Sequence, residues 1–116
     1  MDGVSLLPTI RDPRRRPRRA LAIEALAPLF EADVPVNAWD RPYKGVRTNR
    51  YTYVVYRETG DEELYDRRKD PHQLRNVAGS RAYAAVKAKL AQKLAGLDRC
   101  RGRSCRVSSR IAGSTP

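Results

Sequence analysis

The clearest periodicity in the chain lies in "GVRTNRYTYVVYRE", residues 45–58, where Tyr51, Tyr53 and Val55 alternate with Thr52, Val54 and Tyr56. Both alternating sets are rich in aromatic and β-branched residues, which predicts a strand central in its sheet. "TGDE" then marks a turn, with Gly60 free to take a positive φ. "ELYDRR", starting at Glu63, returns antiparallel, with Leu64 on one face and Glu63 and Tyr65 on the other. Upstream, period alone leaves "ALAIEAL" (Ala20 to Leu26) open to strand or helix. Its brevity, and Pro28, Pro35 and Pro42 behind it, favour a strand leading into a long loop from Ala27 to Lys44.

Downstream, "DPHQL" predicts a corner from strand into helix. Asp70 suits an N-cap, Pro71 the first helical position, and Gln73 a capping-box pattern. From Ser80 the period becomes that of a helix: Tyr83, Val86, Leu90, Leu94 and Leu97 form one apolar stripe, and Lys87, Lys89 and Lys93 lie off it. The fold class is therefore α+β, a small antiparallel sheet of three to four strands with one long carboxy-terminal helix packed on it. Residues 1–19 read as a leading segment and basic linker, 20–98 as the folded unit, and 99–116 as a Cys-containing basic tail, disordered after Cys105.

The formal charge of +11 raises the question of nucleic acid. Its distribution argues the other way. Residues 1–19 carry +4 and residues 99–116 carry +5, whereas 20–98 hold 13 basic and 11 acidic residues. The excess thus sits in the two ends, and a solvated charge run explains it. Tyr51, Tyr53 and Tyr56 beside Arg47, Arg50 and Arg57 would suit base stacking, but tyrosines of a central strand are more often covered by a helix. No run of about 18 apolar residues is present to span a membrane. "MDGVSLLPTI" lacks the pattern of a secretory leader.

Little chemistry is visible. His72, the single histidine, falls in the strand-to-helix corner beside Asp70, where it reads as a surface residue. Asp61, Glu62 and Glu63 fall in a turn. Asp66 and Asp70 could act as paired carboxylates only if the corner folded them together, and Arg67, Arg68 and Lys69 favour solvated pairing. Cys100 and Cys105, in "CRGRSC", can close a small disulfide loop in an oxidising compartment and are otherwise two free thiols. A zinc site would need two further ligands nearby.

Taken in order, "DGVSLLP" (2–8), "RALAIEAL" (19–26), "YKGVRTNRYTYVVY" (43–56), "ELYDRRKDPHQLRNVAG" (63–79) and the closing helix with "CRGRSC" resemble the carboxy-terminal region of a bacterial sulfatase of the alkaline-phosphatase superfamily. Similar sulfatases carry a DG-x-SL-x-P run, a strand ending in Glu, a G-x-RT-x-RYKY strand and ELYDL-x-x-DP-x-EL-x-N. The likeness runs from about residue 2 to 105, with Thr52 where Lys is common.

The resemblance implies a four-stranded antiparallel sheet with a long helix, adjoining a large catalytic domain as its partner. It also implies sulfuric ester hydrolysis by a formylglycine made from Cys or Ser in C/S-x-P-S-R, beside a divalent cation, calcium by expectation. Neither group has a counterpart here, since "CRVSSR" at Cys105 lacks the Pro and spaces the Arg differently. The expectation is a piece of a larger, often secreted or periplasmic enzyme, with no catalytic residue, metal ligand or cofactor of its own. Trp39, Arg41, Tyr43 and Lys44, in the loop before the central strand, are the candidate contacts to an anionic substrate. The alternative is a small basic module binding nucleic acid or another polyanion.

Overall fold

The structure, a computed structural model, describes residues 5–15, 18–25 and 42–112. Four strands, β1 (Leu21–Ala25), β2 (Tyr43–Arg47), β3 (Tyr51–Tyr56) and β4 (Glu62–Asp66), form one antiparallel sheet in the order β1-β2-β3-β4. A short helix, α1 (Leu7–Arg11), precedes the sheet, and a long one, α2 (Ala84–Asp98), follows it. Single 3-10 turns cover Arg81–Tyr83 and Gly102–Cys105. β3 is flanked on both sides, as its two apolar faces predict.

Alternation assigns each face. Tyr51, Tyr53, Val46 and Leu64 lie on the side of α2 and form the core with Ala20, Ala78, Tyr83, Val86 and Leu90. Leu94 and Leu97 extend that stripe as half-buried contacts. Two salt bridges join α2 to the sheet: Lys87 Nζ meets Glu62 Oε2 at 2.6 Å, and Lys44 meets Asp98. Glu62 also accepts from the Tyr53 hydroxyl at 2.7 Å. The Lys87 ammonium, then the Tyr53 hydroxyl, hold its carboxyl below the usual range.

One buried carboxylate fastens three segments. Asp66, at the end of β4 and 3% exposed, takes a bidentate pair from Arg50, with Nε at 3.0 Å and Nη2 at 2.8 Å. It also accepts from the Tyr83 hydroxyl at 3.1 Å and the Arg68 amide at 3.2 Å. Burial alone would raise this carboxyl, but the hydrogen bonds from Arg50 and Tyr83 outweigh it and hold the group below its ordinary value. The β2–β3 turn, the end of β4 and the start of α2 are thereby locked together.

Three expectations need correction. Residues 45–58 are not one strand: the chain reverses at Thr48, Asn49 and Arg50. Thr48 makes the reversal, its amide donating to the Tyr51 carbonyl at 2.8 Å and its Oγ1 accepting the Tyr51 amide at 2.9 Å. The side chain acts as a backbone surrogate that no hydrophobic period records. The corner at Asp70 does not start a helix either. Asp70 accepts the Arg75 amide at 2.8 Å, Gln73 takes a φ of 55°, and helical structure waits until Arg81. Asx-type turn bonding competes here with the N-cap that the same residues could make.

The chain after Cys105 is the third correction, because residues 106–112 pack on the body. Ala20 N donates to the Val107 carbonyl at 2.8 Å, Ser109 N donates to Arg18 O at 3.1 Å, and Arg19 bridges Ser108. Val107 and Ile111 touch the core, and Lys93 donates to the Ser108 carbonyl at 2.7 Å. Cys100 and Cys105 are disulfide-bonded, Cα to Cα 4.9 Å, just before this segment.

Asn76 completes the outer margin of β4. Its Oδ1 accepts the Leu64 amide at 3.0 Å, its Nδ2 donates to the Glu62 carbonyl at 3.1 Å, and Val77 N donates to Leu64 O at 2.9 Å.

Asp66→Asn should cost roughly 3 kcal/mol in urea unfolding at neutral pH, since it removes the buried negative charge that the Arg50 guanidinium grips at two atoms. The wild-type Asp66 contribution is full above the ordinary Asp value of about 3.9 and is lost as pH falls through the lower folded value. The variant should therefore show a flatter acid limb, and an unchanged limb would remove Asp66 from the account. Asn76→Ala should cost about 1 kcal/mol and speed hydrogen exchange at the Leu64 amide above all others. Uniform acceleration across the sheet would argue against a local role for Asn76.

Candidate functional site

The residues that the sequence proposes as substrate contacts do not share one surface. Trp39 and Arg41 lie outside the described residues. Tyr43 and Lys44 are adjacent in β2, so their side chains leave on opposite faces. Lys44, on the α2 side, is engaged with Asp98. Tyr43, on the other side, meets Tyr56 edge to face with centroids 6.0 Å apart.

That second face is aromatic. Tyr56 donates to Glu63 Oε1 at 3.0 Å and Tyr65 donates to Glu63 Oε2 at 2.8 Å, so one carboxylate ties two rings across β3 and β4. Burial, reinforced by the Glu63 hydrogen bond, pushes the Tyr65 phenol up to about 12. Thr52, where the resemblance leads one to expect Lys, is buried on this side at 7% exposure. Gly45 sits between Ile23 and Val54, where an added Cβ would come within 2.6 Å of the Tyr53 carbonyl oxygen. Only glycine fits that crossing without displacing β3.

The other sequence candidates resolve simply. Tyr51 and Tyr53 are buried among the core residues beside α2, so neither ring can stack on a base. Asp66 is satisfied by Arg50, and Asp70 by backbone amides, so the two are not a catalytic pair. His72 is exposed. Among the described residues no group of three or more His, Cys, Asp or Glu side chains could hold a metal ion. The divalent cation implied by the resemblance finds no ligand set among them. No described helix is long and apolar enough to cross a membrane.

Two roles escaped sequence reasoning. Glu62 looks like one of three acids in a turn, yet it links Tyr53 to Lys87. The signal available was its place two residues before Leu64, on the same face of β4. Asn76 carries no period at all, because its bonds run from a side chain to a neighbouring strand.

The comparisons with known proteins agree in direction. The family model for the carboxy-terminal region of N-sulphoglucosamine sulphohydrolase matches residues 1–100. A delta 4,5-hexuronate-2-O-sulfatase of Bacteroides thetaiotaomicron is 31% identical over 86 residues, covering 74% of this chain and 17% of that protein. The solved structure of BT4656 in complex with its substrate D-glucosamine-2-N,6-O-disulfate aligns with a TM-score of 0.63 and 23% identity, over 81% of this chain and 19% of that one. The fold is thus shared, and the chain spans under a fifth of the length of either relative. With the family match running through the sheet and α2, the chain belongs to the family of sulfatase carboxy-terminal domains represented by N-sulphoglucosamine sulphohydrolase.

Proposed function

We propose that the 116 residues are the non-catalytic subdomain of a sulfuric ester hydrolase, with the formylglycine nucleophile and its metal carried by a separate catalytic part. The observation that carries this reading is the pairing of a family match over residues 1–100 with coverage of only 17% of the hexuronate sulfatase. On this reading the chain alone hydrolyses no sulfate ester, and the substrate class is a sulfated sugar, the class in the names of both relatives.

The surface also supports a missing partner. α1 buries no side chain, and it presents Leu7 and Ile10, with Ile10 72% exposed. Leu74, in the corner after β4, is 85% exposed. Such apolar groups are stable in water only at a cost and mark surfaces that another body covers. We assign the face of α1 that carries Leu7 and Ile10 to contact with the catalytic part.

The purified chain should show no metal-dependent hydrolysis of an aryl sulfate or of glucosamine sulfates, and measurable turnover would overturn the reading. Leu7→Ser with Ile10→Ser should leave Tm within about 2 °C of wild type, because burial lost is small, while lowering self-association in analytical ultracentrifugation. A large fall in Tm would make α1 a structural element of the isolated fold instead.

A further inference from the structure

An antiparallel order places the start of β1, the end of β2 and the end of β4 at the same end of the sheet. Arginines cluster there from segments far apart in sequence. Arg18 and Arg19 precede β1, Arg47 closes β2 opposite Leu21, and Arg67 follows β4. Arg67 is fastened to the β2–β3 turn, its amide donating to Arg50 O at 2.8 Å and its Nη1 to Thr48 O at 3.4 Å. With Arg15 these guanidiniums line one cleft of about 920 Å³, whose other walls come from the segment around α1 and from the Thr48–Asn49 turn.

Among the described residues no carboxylate lines this cleft, and none of the five arginines is in a salt bridge. Arg19 Nε is buried without a hydrogen-bond partner. Like charges crowded at one end of a sheet repel one another, and a buried donor left unmade is costly. An anion placed among them relieves both. The planar guanidinium fork matches sulfate oxygens in pairs, so the donors suit a ligand with several such groups.

We propose that this cleft is a binding site for a sulfated oligosaccharide, holding anionic groups of the sugar chain away from any reacting bond. The choice of sulfated sugar among polyanions rests on the family reading above. The structure itself favours it over single-stranded nucleic acid, because among the described residues no aromatic side chain lines the cleft to stack a base, and Tyr51 and Tyr53 are buried in the core. The ligand would rest its apolar ring faces against Leu6, Pro8 and Leu21 while its charges meet the arginines.

The test is fluorescence anisotropy of a labelled heparin-derived hexasaccharide with the 116-residue chain at an ionic strength of about 0.15 M. Losing charge-assisted bonds at two contacts should weaken binding by about tenfold or more in Arg18→Gln with Arg47→Gln. Both are exposed, so this variant should stay folded, and far-ultraviolet circular dichroism checks it. Arg101→Gln with Arg103→Gln removes the same charge outside the cleft and should weaken binding by less than about threefold. An oligothymidylate of equal charge should bind at least about tenfold more weakly than the hexasaccharide.

Equal losses in the two double variants, or no binding of the hexasaccharide, would overturn the site. Equal affinity for the oligothymidylate would overturn the choice of ligand. Neither result bears on whether the catalytic machinery lies elsewhere, which the aryl sulfate assay reads separately.

Discussion

A carboxylate buried to 3% exposure is tolerable only when its oxygens are fully engaged, and Asp66 meets that condition by drawing in partners from two separate segments. Arg50 comes from the β2–β3 turn and Tyr83 from the first turn before α2. The hairpin must therefore reverse where Arg50 can reach back, and the helix must begin where Tyr83 can reach down. Hydrophobic contact alone would let α2 slide along the apolar face. The charged anchor removes that freedom and fixes where α2 starts relative to the end of β4.

Much of this was legible from the sequence where burial sets the pattern. β3 announces itself through Tyr51, Tyr53 and Val55, and the stripe from Tyr83 to Leu97 marks the face of α2 that meets the sheet. Both are consequences of water being excluded from one side of an element, and that leaves a period. The misreadings share the opposite origin. Thr48 ends a strand, Asp70 closes a turn and Asn76 finishes a sheet margin through single side-chain hydrogen bonds to backbone, which leave no period. The family resemblance spans those residues, but it names them without giving their bonds.

Charge was misleading for a related reason. Counted along the chain, the basic excess lies in two ends and looks like solvated tail. In space, Arg18 and Arg19 from one of those ends stand beside Arg47 and Arg67 from the balanced middle. A linear tally cannot see that strand reversal brings these positions together. The candidate contacts Tyr43 and Lys44 illustrate the converse, since neighbours in a strand are sent to opposite faces.

The amide of Asn76 offers one acceptor and one donor at the spacing of an extended backbone, and it sits where another strand would hydrogen-bond to β4. It is in effect a one-residue stopper. A sheet ending in bare amides and carbonyls invites a further chain to add itself, which is how edge-to-edge aggregates propagate. With Leu64 and Glu62 already occupied on that side, the sheet is closed at β4 and denies a growing aggregate its template there.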